Sequence, residues 1–406
     1  KLYERGFYIP SGLALTESQI KKVSKIMHEV LIWKILNLIQ LDVWHLCIKH
    51  NMSNKNLNIA VIISTGIDSG GAYQYEYKVL DLLKKYHSDK KISLHYYASN
   101  NKIIKDYSDL HLNIKLLKEN FFQKLHRLLL PNIFLHKIGL GYSSIEKKLK
   151  ADNIDLIYFL SQDTKSQAFS DIPYIFTLWD IGHLDIMEFP EINHGGKFEF
   201  REITNARTLK KAIKVIVTLD YSKKDVIKRY NLDENRVEVL EFLPNIRTTK
   251  PSNSVSIREK YKLKNDFIFY PAQFWAHKNH IYILEAIKIL RKEKAIDIDV
   301  IFSGSNKGNL EYILDKAKEL EIEDLVHYIG FVTNDEIPLL YDQSLALVMP
   351  TYLGPTNIPP LEAFAYETPV CYSDTPFFRE QVGDAAFFMN LKDPNSLVQN
   401  LLTILN

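Results

Sequence analysis

The chain has 406 residues, of which 46% are hydrophobic and 25% are charged, values typical of a globular protein with two or three domains. Its formal net charge of +2 implies no general attraction to nucleic acid. No apolar run reaches the roughly 20 residues that a membrane-spanning helix needs. The two cysteines, Cys47 and Cys371, lie far apart in sequence and favour a reducing compartment over a disulfide-stabilised scaffold.

Residues 1–54 are predicted to form an N-terminal helical appendage. The first residue is Lys1 rather than methionine, so we expect a trimmed chain or part of a longer one. No signal-peptide pattern is recognised in the given sequence. Between residues 18 and 50, apolar residues recur at spacings of three and four, which predicts one or two amphipathic helices. The favoured interpretation is a helix docked on the rest of the chain. The alternative is a surface that contacts a membrane or another domain.

The next segment predicts the opening of a doubly wound α/β domain. Residues 57–64 form a buried-strand pattern, residues 65–71 form a turn that contains Gly70 and Gly71, and residues 72–86 form a helix pattern. In such domains ligands bind at the carboxyl ends of the strands. Paired glycines by themselves usually supply only a positive φ angle. Further strands are predicted at residues 93–98, 155–159, 174–178 and 215–218, the last of which closes the set.

Residues 115–150 combine many lysines with interleaved leucine and phenylalanine. A charge run of this kind usually forms the solvated face of one or more helices. The alternative interpretation is an interfacial surface for anionic lipid.

The stretch TLWDIGHLDIMEFPE, residues 177–191, follows a predicted strand and places Asp180 and His183 in the loop at its carboxyl end. That end of a parallel sheet is where chemistry usually takes place. A histidine with a nearby carboxylate could bind hydroxyl groups or stabilise developing positive charge. A structural loop histidine is the alternative that this spacing leaves open.

Residues 244–266 are rich in Pro, Ser, Asn, Thr and Lys, a composition that predicts a linker. We place the boundary between the two predicted domains within it, so that the first domain spans residues 55–245 and the second spans residues 246–406. The second domain opens with a strand at residues 267–270. The loop PAQFWAHKNH and a helix at residues 281–293 follow. Lys278 would stand at the start of that helix, where its ammonium group could face a diphosphate. An ordinary exposed lysine is the alternative.

The stretch PTYLGPTNIPPLEAFAYETPV, residues 350–370, predicts a strand, a turn and the start of a helix. Such a junction presents backbone N–H groups and the positive end of a helix dipole, and therefore suits a phosphate. Glu362 would lie about one turn into the helix, where its carboxylate could accept hydrogen bonds from a ribose diol. An ordinary strand-to-helix turn is the alternative.

These motifs, in this order, resemble the large family of retaining glycosyltransferases often called group 1. The GG pair, WDxGH…FPE, QFWxHKNH and GPTNIPPLEAF resemble in particular a bacterial subset of that family, and the resemblance covers about residues 57–400. It implies an α/β GT-B fold, in which two Rossmann-like doubly wound domains face each other across a cleft. The predicted helical appendage would be added to that fold.

The resemblance also implies a reaction. A sugar would move from a nucleoside-diphosphate-sugar donor to a hydroxyl acceptor, a glycan or lipid-linked glycan of surface polysaccharide assembly, with retention of anomeric configuration. The enzyme would be cytoplasmic or peripheral on the inner face of the membrane, with contact through residues 115–150 or 18–50, and would bind no nucleic acid.

Site residues follow from the same resemblance. Asp180, His183 and Lys278 are the implied catalytic residues. The implied donor-binding residues are Gly70, Gly71, Gln273, Lys278, Asn279, Phe331, Pro355, Thr356, Asn357, Ile358 and Glu362.

Two positions depart from the family pattern. The glutamate expected eight residues before Glu362 is Gly354, and the arginine expected five residues before Lys278 is Gln273. A single cation would therefore face the phosphates, unless Arg247, His277 or the helix dipole contributes. Asn357 or the Asp180–His183 pair would replace the lost carboxylate, and we favour the second. The chain also ends before a helix that family members usually carry.

No metal or other cofactor is expected. Asp297-Ile298-Asp299 fits the D-x-D pattern of metal-dependent glycosyltransferases, but it lies inside an alternating strand pattern, so we interpret it as solvent-edge residues. No Cys/His cluster of zinc spacing occurs. Two rival functions remain: a GT-B nucleotide-sugar epimerase, and a non-catalytic nucleotide-sugar-binding module, which the residues Gly354 and Gln273 would favour.

Overall fold

The structure is a computed structural model, which describes residues 56–85, 92–119, 143–242, 256–333, 335–354 and 357–406. The contacts within the chain divide it into two compact units. Among the described residues, the amino-terminal unit holds 56–181 and 199–242, and the carboxyl-terminal unit holds 182–198 and 256–406. The predicted appendage, residues 120–142 of the basic segment and residues 243–255 of the linker lie outside the described residues. The predicted domain boundaries stay predictions.

The described part of the amino-terminal unit contains one parallel sheet. Its strands are β1 (Leu57–Ile63), β2 (Ile92–Ala98), β3 (Ile114–Leu116), β4 (Leu156–Phe159), β5 (Tyr174–Thr177), β6 (Lys214–Val217) and β7 (Val237–Val239). They lie in the order β3-β2-β1-β4-β5-β6-β7. Every residue of β4 and β5 is buried, because helices cover both faces of a parallel sheet, and this is why these strands are continuous apolar runs in sequence.

Helices fill the connections between these strands. In chain order they are α1 (Gly71–Lys85), α2 (Asn101–Asp106), α3 (Ser144–Ala151), α4 (Pro190–Asn193), α5 (Lys197–Leu209) and α6 (Asp220–Tyr230). Short polar side chains fix where some of them begin. The Asn100 side chain accepts a hydrogen bond from the Ile103 N–H at the start of α2, and Ser143 does the same for Glu146 at the start of α3. Helix α4 belongs to the carboxyl-terminal unit.

The described part of the carboxyl-terminal unit contains a second parallel sheet. Its strands are β8 (Phe267–Pro271), β9 (Asp299–Ser303), β10 (Val326–Tyr328), β11 (Ala346–Met349), β12 (Val370–Ser373) and β13 (Phe387–Met389). They lie in the order β10-β9-β8-β11-β12-β13. The accompanying helices are α7 (Ile257–Tyr261), α8 (His280–Lys294), α9 (Leu310–Glu319), α10 (Ile337–Gln343), α11 (Ile358–Ala365), α12 (Pro376–Val382) and α13 (Asn395–Leu405).

The two doubly wound sheets confirm the predicted fold class, and the predicted strands lie within one or two residues of their expected bounds. The expectation that residues 215–218 close the first set of strands was wrong, because β7 continues that sheet. Among the described strands, β3, β7, β10 and β13 have only three residues each, and so short a segment shows little hydrophobic period in the sequence. Among the described residues, no helix has both the length and the apolar character needed to cross a membrane.

Each sheet has one point where the order of the strands reverses. In the first sheet this switch point lies between β1 and β4, and in the second it lies between β8 and β11. Ala346 and Leu347 of β11 pair directly with Ile268 and Phe269 of β8, so the loops that follow these two strands emerge side by side. Open parallel sheets bind their ligands at this place.

Candidate functional site

The loop after β8 ends in a short turn that leads directly into α8. Ala276–Lys278 form one 3-10 turn, and Asn279 follows in the left-handed conformation, with φ 56°, as the N-cap residue of α8. The Lys278 N–H donates to the Trp275 carbonyl at 3.1 Å, and the Lys278 carbonyl accepts from the Tyr270 hydroxyl at 2.8 Å. The backbone of Lys278 is therefore held at the switch point, two residues before α8 begins. The sequence predicted it near this helix start, and its contact with a diphosphate stays a prediction.

Two neighbouring polar residues of this loop have different environments. Asn279 is 8% exposed, and its Nδ2 has no hydrogen-bond partner among the described residues. A buried polar group without a partner costs free energy, so it marks a place where a ligand or water molecule completes the hydrogen bonding. His280 is fully buried and stacks on the Phe274 ring at 4.3 Å, and burial lowers its pKa to about 3. His280 is therefore a neutral core residue.

Gln273 stands where the resemblance described above would place an arginine. Its side-chain oxygen accepts a hydrogen bond from the Trp275 indole N–H at 3.0 Å, which leaves its side-chain amide as a neutral donor. The Lys307 ammonium group lies 5.8 Å from the centre of the Trp275 ring. Gly304, after β9, approaches this loop so closely that an added Cβ would lie 2.4 Å from the Ala272 carbonyl oxygen. That glycine is required for the loop to pack against the end of β9.

The loop after β11 is built around Gly354 and Asn357. Gly354 has φ +108°, and a Cβ added there would lie 2.8 Å from Asn357 Oδ1. Asn357 Nδ2 donates to the Gly354 carbonyl at 2.9 Å and to the Tyr372 hydroxyl at 2.8 Å. Both amide hydrogens of Asn357 are thus used inside the protein, and its side chain links the Gly354 backbone to Tyr372 of β12. Pro355 and Thr356 lie outside the described residues.

The start of α11 has fewer hydrogen-bond donors than an ordinary helix. Pro359 and Pro360 in its first turn have no N–H groups. The Asn357 N–H donates to Gln381 Oε1 at 3.4 Å. Of the implied donor-binding residues Asn357 and Ile358, Ile358 is therefore the one whose N–H group has no hydrogen-bond partner among the described residues.

Glu362 lies one turn into α11 and is partly buried. Its Oε2 accepts a hydrogen bond from the Tyr341 hydroxyl at 2.9 Å, and its Oε1 accepts none from the described residues. Burial raises the pKa of Glu362 above the usual carboxyl range, and the Tyr341 hydroxyl offsets only part of that effect. One carboxylate oxygen is anchored while the other can accept hydrogen bonds from a diol.

Phe331, predicted to contact the base, is 71% exposed. It follows Gly330, which has φ 72° and accepts a hydrogen bond from the Gly304 N–H at 2.9 Å. The ring therefore stands at the edge of the sheet next to the loop after β9, and its contact with a nucleotide base stays a prediction.

In the amino-terminal unit, the predicted glycine pair lies between β1 and α1. Gly70 has φ 61°, and Gly71 is the first residue of α1. Glu76 on the same helix, which no sequence motif indicated, is fully buried. Its carboxylate accepts hydrogen bonds from the N–H groups of Ser64 and Thr65 and from the hydroxyls of Thr65, Tyr107 and Ser161. Glu76 therefore ties together the carboxyl ends of β1 and β4.

Asp180 and His183, predicted to act as a pair, make different contacts. Asp180 belongs to the amino-terminal unit, where its Oδ1 accepts a hydrogen bond from the Arg201 guanidinium at 2.8 Å. Its carbonyl accepts another from the Gln162 side chain at 3.1 Å. His183 belongs to the carboxyl-terminal unit, is buried and lies with its ring 5.6 Å from that of Phe198. Their joint action on a substrate stays a prediction.

The interpretation of Asp299 as a solvent-edge residue was wrong, because Asp299 is 1% exposed. Its carboxylate accepts hydrogen bonds from the N–H groups of Lys264 and Asn265 at 3.0 and 2.8 Å, and lies 2.7 Å from His327 Nε2. Asp297 precedes β9 and pairs with Arg291. The alternation of the sequence predicted the wrong face, because the Asp299 side chain points to buried backbone donors rather than to water.

Glu191 and His277 form a buried pair that the sequence analysis did not predict. Glu191 Oε1 accepts a hydrogen bond from the His277 backbone N–H at 2.9 Å and lies 2.6 Å from the ring Nδ1. Burial acts to raise the pKa of Glu191, but the His277 N–H and ring outweigh it and hold that pKa below the usual range. The FPE motif was the available signal, and its partner lies 86 positions away.

Comparisons with known proteins give a family match for part of the chain and show its fold. Residues 254–406 match the family described as Glycosyl transferases group 1. A crystal structure of Anabaena Alr3699/HepE in complex with UDP and glucose superimposes with a TM-score of 0.64 over 86% of this chain and 90% of that chain, at 17% identity. The fold is GT-B.

Two curated relatives are similar over part of their length. The O-antigen chain mannosyltransferase RfbU of Salmonella typhimurium is 31% identical over 191 residues, 46% of this chain and 49% of that protein. The O-antigen chain mannosyltransferase B of Escherichia coli is 22% identical over 226 residues, 54% of this chain and 58% of that protein. The chain thus spans about half the length of the curated relatives it matches.

Proposed function

We propose that this chain is a retaining glycosyltransferase that moves a sugar from a nucleoside-diphosphate-sugar donor to a hydroxyl group of a glycan or lipid-linked glycan. The observation that carries the proposal is Glu362, whose carboxylate has one oxygen anchored by Tyr341 and one left for a ligand, at the switch point of the second sheet. The match of residues 254–406 to the group 1 family supports the same reaction class.

The proposed roles follow the charge that develops in the reaction. As the bond between sugar and phosphate breaks, negative charge grows on the leaving diphosphate. Lys278 supplies a positive charge at the start of α8, and the Ile358 N–H supplies a donor at the start of α11. Fixed donors of this kind stabilise the transition state more than the bound substrate. The side-chain amides of Gln273 and Asn279 add neutral donors on the same loop.

The sugar itself becomes cation-like, and a carboxylate would stabilise it. Asp180 is our candidate for that carboxylate, with His183 as a partner for sugar or acceptor hydroxyls. Asn357 is the weaker candidate, because both of its amide hydrogens are used within the protein. Arg201 holds the Asp180 side chain in one orientation, as a positioned charge requires. The leaving phosphate would accept the proton of the acceptor.

The donor that we propose to test first is GDP-mannose, because two relatives are named O-antigen chain mannosyltransferases. UDP-glucose is the second, because the HepE structure contains UDP and glucose. We place the reaction in bacterial surface polysaccharide assembly, in the cytoplasm or at the inner face of the membrane. No metal is proposed, because Lys278 and a helix start take its place beside the phosphates.

A non-catalytic nucleotide-sugar-binding module is the second candidate, favoured by the neutral residues Gln273 and Gly354. One assay separates it from a transferase and from an epimerase. Donors are incubated with and without an acceptor extract, nucleoside-diphosphate release is measured, and the product anomer is assigned by NMR. A retaining transferase releases nucleotide only with acceptor and preserves the anomeric configuration. Binding without turnover identifies the module, and conversion of the donor without acceptor identifies the epimerase.

A further inference from the structure

Glu191 and His277 form a buried contact within the carboxyl-terminal unit. The Glu191 side chain is 8% exposed and the His277 side chain is 10% exposed. One carboxylate oxygen, Oε1, contacts both the backbone N–H and the ring Nδ1 of His277, at 2.9 and 2.6 Å. A carboxylate that holds both the backbone and the ring of one residue fixes its backbone orientation as well as its side-chain rotamer.

His277 is also bonded on its other side to the loop after β11. Its carbonyl accepts a hydrogen bond from the Tyr352 N–H at 3.0 Å. The Phe189 ring packs on both residues, 6.3 Å from the His277 ring and 5.4 Å from the Tyr352 ring. Lys278 follows His277 directly, and Gly354 lies two residues after Tyr352. The junction of Glu191, His277 and Tyr352 therefore links the two loops of the switch point.

We propose that Glu191 is a positioning residue that acts through His277 to hold the Lys278 turn in register with the loop after β11 for a diphosphate. This inference rests on the proposed function. It assigns a role in donor binding to segment 182–198, which precedes strands β6 and β7 of the other unit's sheet.

A purely structural role would have a different signature. A buried charged pair adds little net stability relative to well-packed neutral residues. If the pair were only structural, its loss would change the stability of the whole unit. Binding of the nucleoside and binding of the diphosphate would then weaken to the same extent. A positioning pair affects the phosphate contacts and leaves the base and ribose contacts unchanged, because Phe331 and Glu362 lie on other segments.

The test compares wild type with Glu191→Gln, which keeps an acceptor for the His277 N–H but removes the charge. GDP and UDP are titrated by calorimetry, and guanosine and uridine by ligand-observed NMR. We expect the diphosphate that binds wild type to bind the variant about tenfold to a hundredfold more weakly, while its nucleoside binds equally to both. Asp324→Asn, which breaks an exposed contact with Arg291 in the same unit, serves as the control and should leave both affinities unchanged.

A double-mutant cycle with His277→Gln tests the route of the effect. If Glu191 acts through His277, the double variant binds the diphosphate no more weakly than the weaker single variant. Unchanged diphosphate affinity in a folded Glu191→Gln protein, equal loss of nucleoside and diphosphate, or additive losses in the cycle would overturn the inference alone. Wild-type protein that binds neither GDP nor UDP would overturn the inference together with the proposed donor site.

Discussion

At position 354, backbone geometry limits which side chains the loop after β11 can hold. Gly354 has φ +108°, and a Cβ there would lie 2.8 Å from Asn357 Oδ1. Gly308 has a similar φ of +102° but nothing within 4 Å of its added Cβ. Substitutions at these two glycines can therefore be compared: both carry the strain of a positive φ angle, and only the substitution at position 354 adds a clash with a neighbouring side chain.

We predict that Gly354→Ala lowers the free energy of unfolding by more than Gly308→Ala, which carries only the backbone strain of about 1–3 kcal/mol. The difference arises because Asn357 must give up its bonds to the Gly354 carbonyl and Tyr372. Chemical denaturation of both variants measures it. Equal losses would show that the Asn357 side chain moves aside at no cost.

Asp180 is predicted to act on the sugar and not on the nucleotide. Asp180→Asn should therefore lower turnover by about a hundredfold or more, the size expected for loss of a transition-state contact, with little change in nucleotide affinity. Adding Gly354→Glu should not restore turnover, because its side chain would clash with Asn357. Near-normal turnover of Asp180→Asn would remove that residue from catalysis and return Asn357 to consideration.

The raised pKa of Glu362 predicts that donor affinity depends on pH. Between its usual range and the raised pKa, the folded protein without donor binds more protons than the unfolded chain. Over that interval stability falls as pH rises, and the ionised carboxylate that binds a diol becomes populated. We expect donor affinity to increase from mildly acidic to neutral pH in wild type and to be flat in Glu362→Gln. Calorimetric titrations across pH would show the same slope in both proteins if Glu362 does not contact the donor.

At the scale of elements, Glu76 joins the end of β1 to the end of β4. We predict that Glu76→Ala lowers the free energy of unfolding by more than about 3 kcal/mol, because it leaves several buried donors without an acceptor. The control is Asp81→Asn on the same helix, where the half-buried Asp81 pairs with the exposed Lys85 and the pair is worth about 0–1 kcal/mol. Denaturation curves decide the comparison, and equal losses would mean that water replaces the carboxylate.

Periodicity predicted elements well where a strand is long and buried. Strand β1 has 7 residues, of which six are buried, and its apolar run was unmistakable in the sequence. The three-residue strands β3 and β7 were missed, because so short a segment carries no period. Asp299 was wrongly predicted to face solvent for a related reason. Alternation along a strand shows which residues are polar, but it does not show that buried backbone N–H groups are available to bond a carboxylate.

At the scale of the molecule, the sequence predicted the fold class. It also predicted that Lys278 lies close to the start of one helix and Glu362 one turn into another, because a strand–loop–helix junction is formed by residues that are consecutive in sequence. It could not predict contacts between distant segments. Residues 182–198 group with the carboxyl-terminal unit although two strands of the other sheet follow them. The Glu191–His277 pair joins residues 86 positions apart, and no spacing rule connects them.

The central claim is that the loops after β8 and β11 bind a nucleoside-diphosphate sugar, with Glu362 on the ribose. Titration calorimetry of wild type and Glu362→Ala with GDP-mannose and UDP-glucose tests it most directly, with Glu319→Ala on the exposed side of α9 as the control. We predict that one donor binds wild type and the control equally. We expect it to bind Glu362→Ala with about 1.5–3 kcal/mol less free energy, the value of charge-assisted hydrogen bonds. Equal affinity of wild type and Glu362→Ala, in protein shown to be folded by thermal melting, would contradict the account.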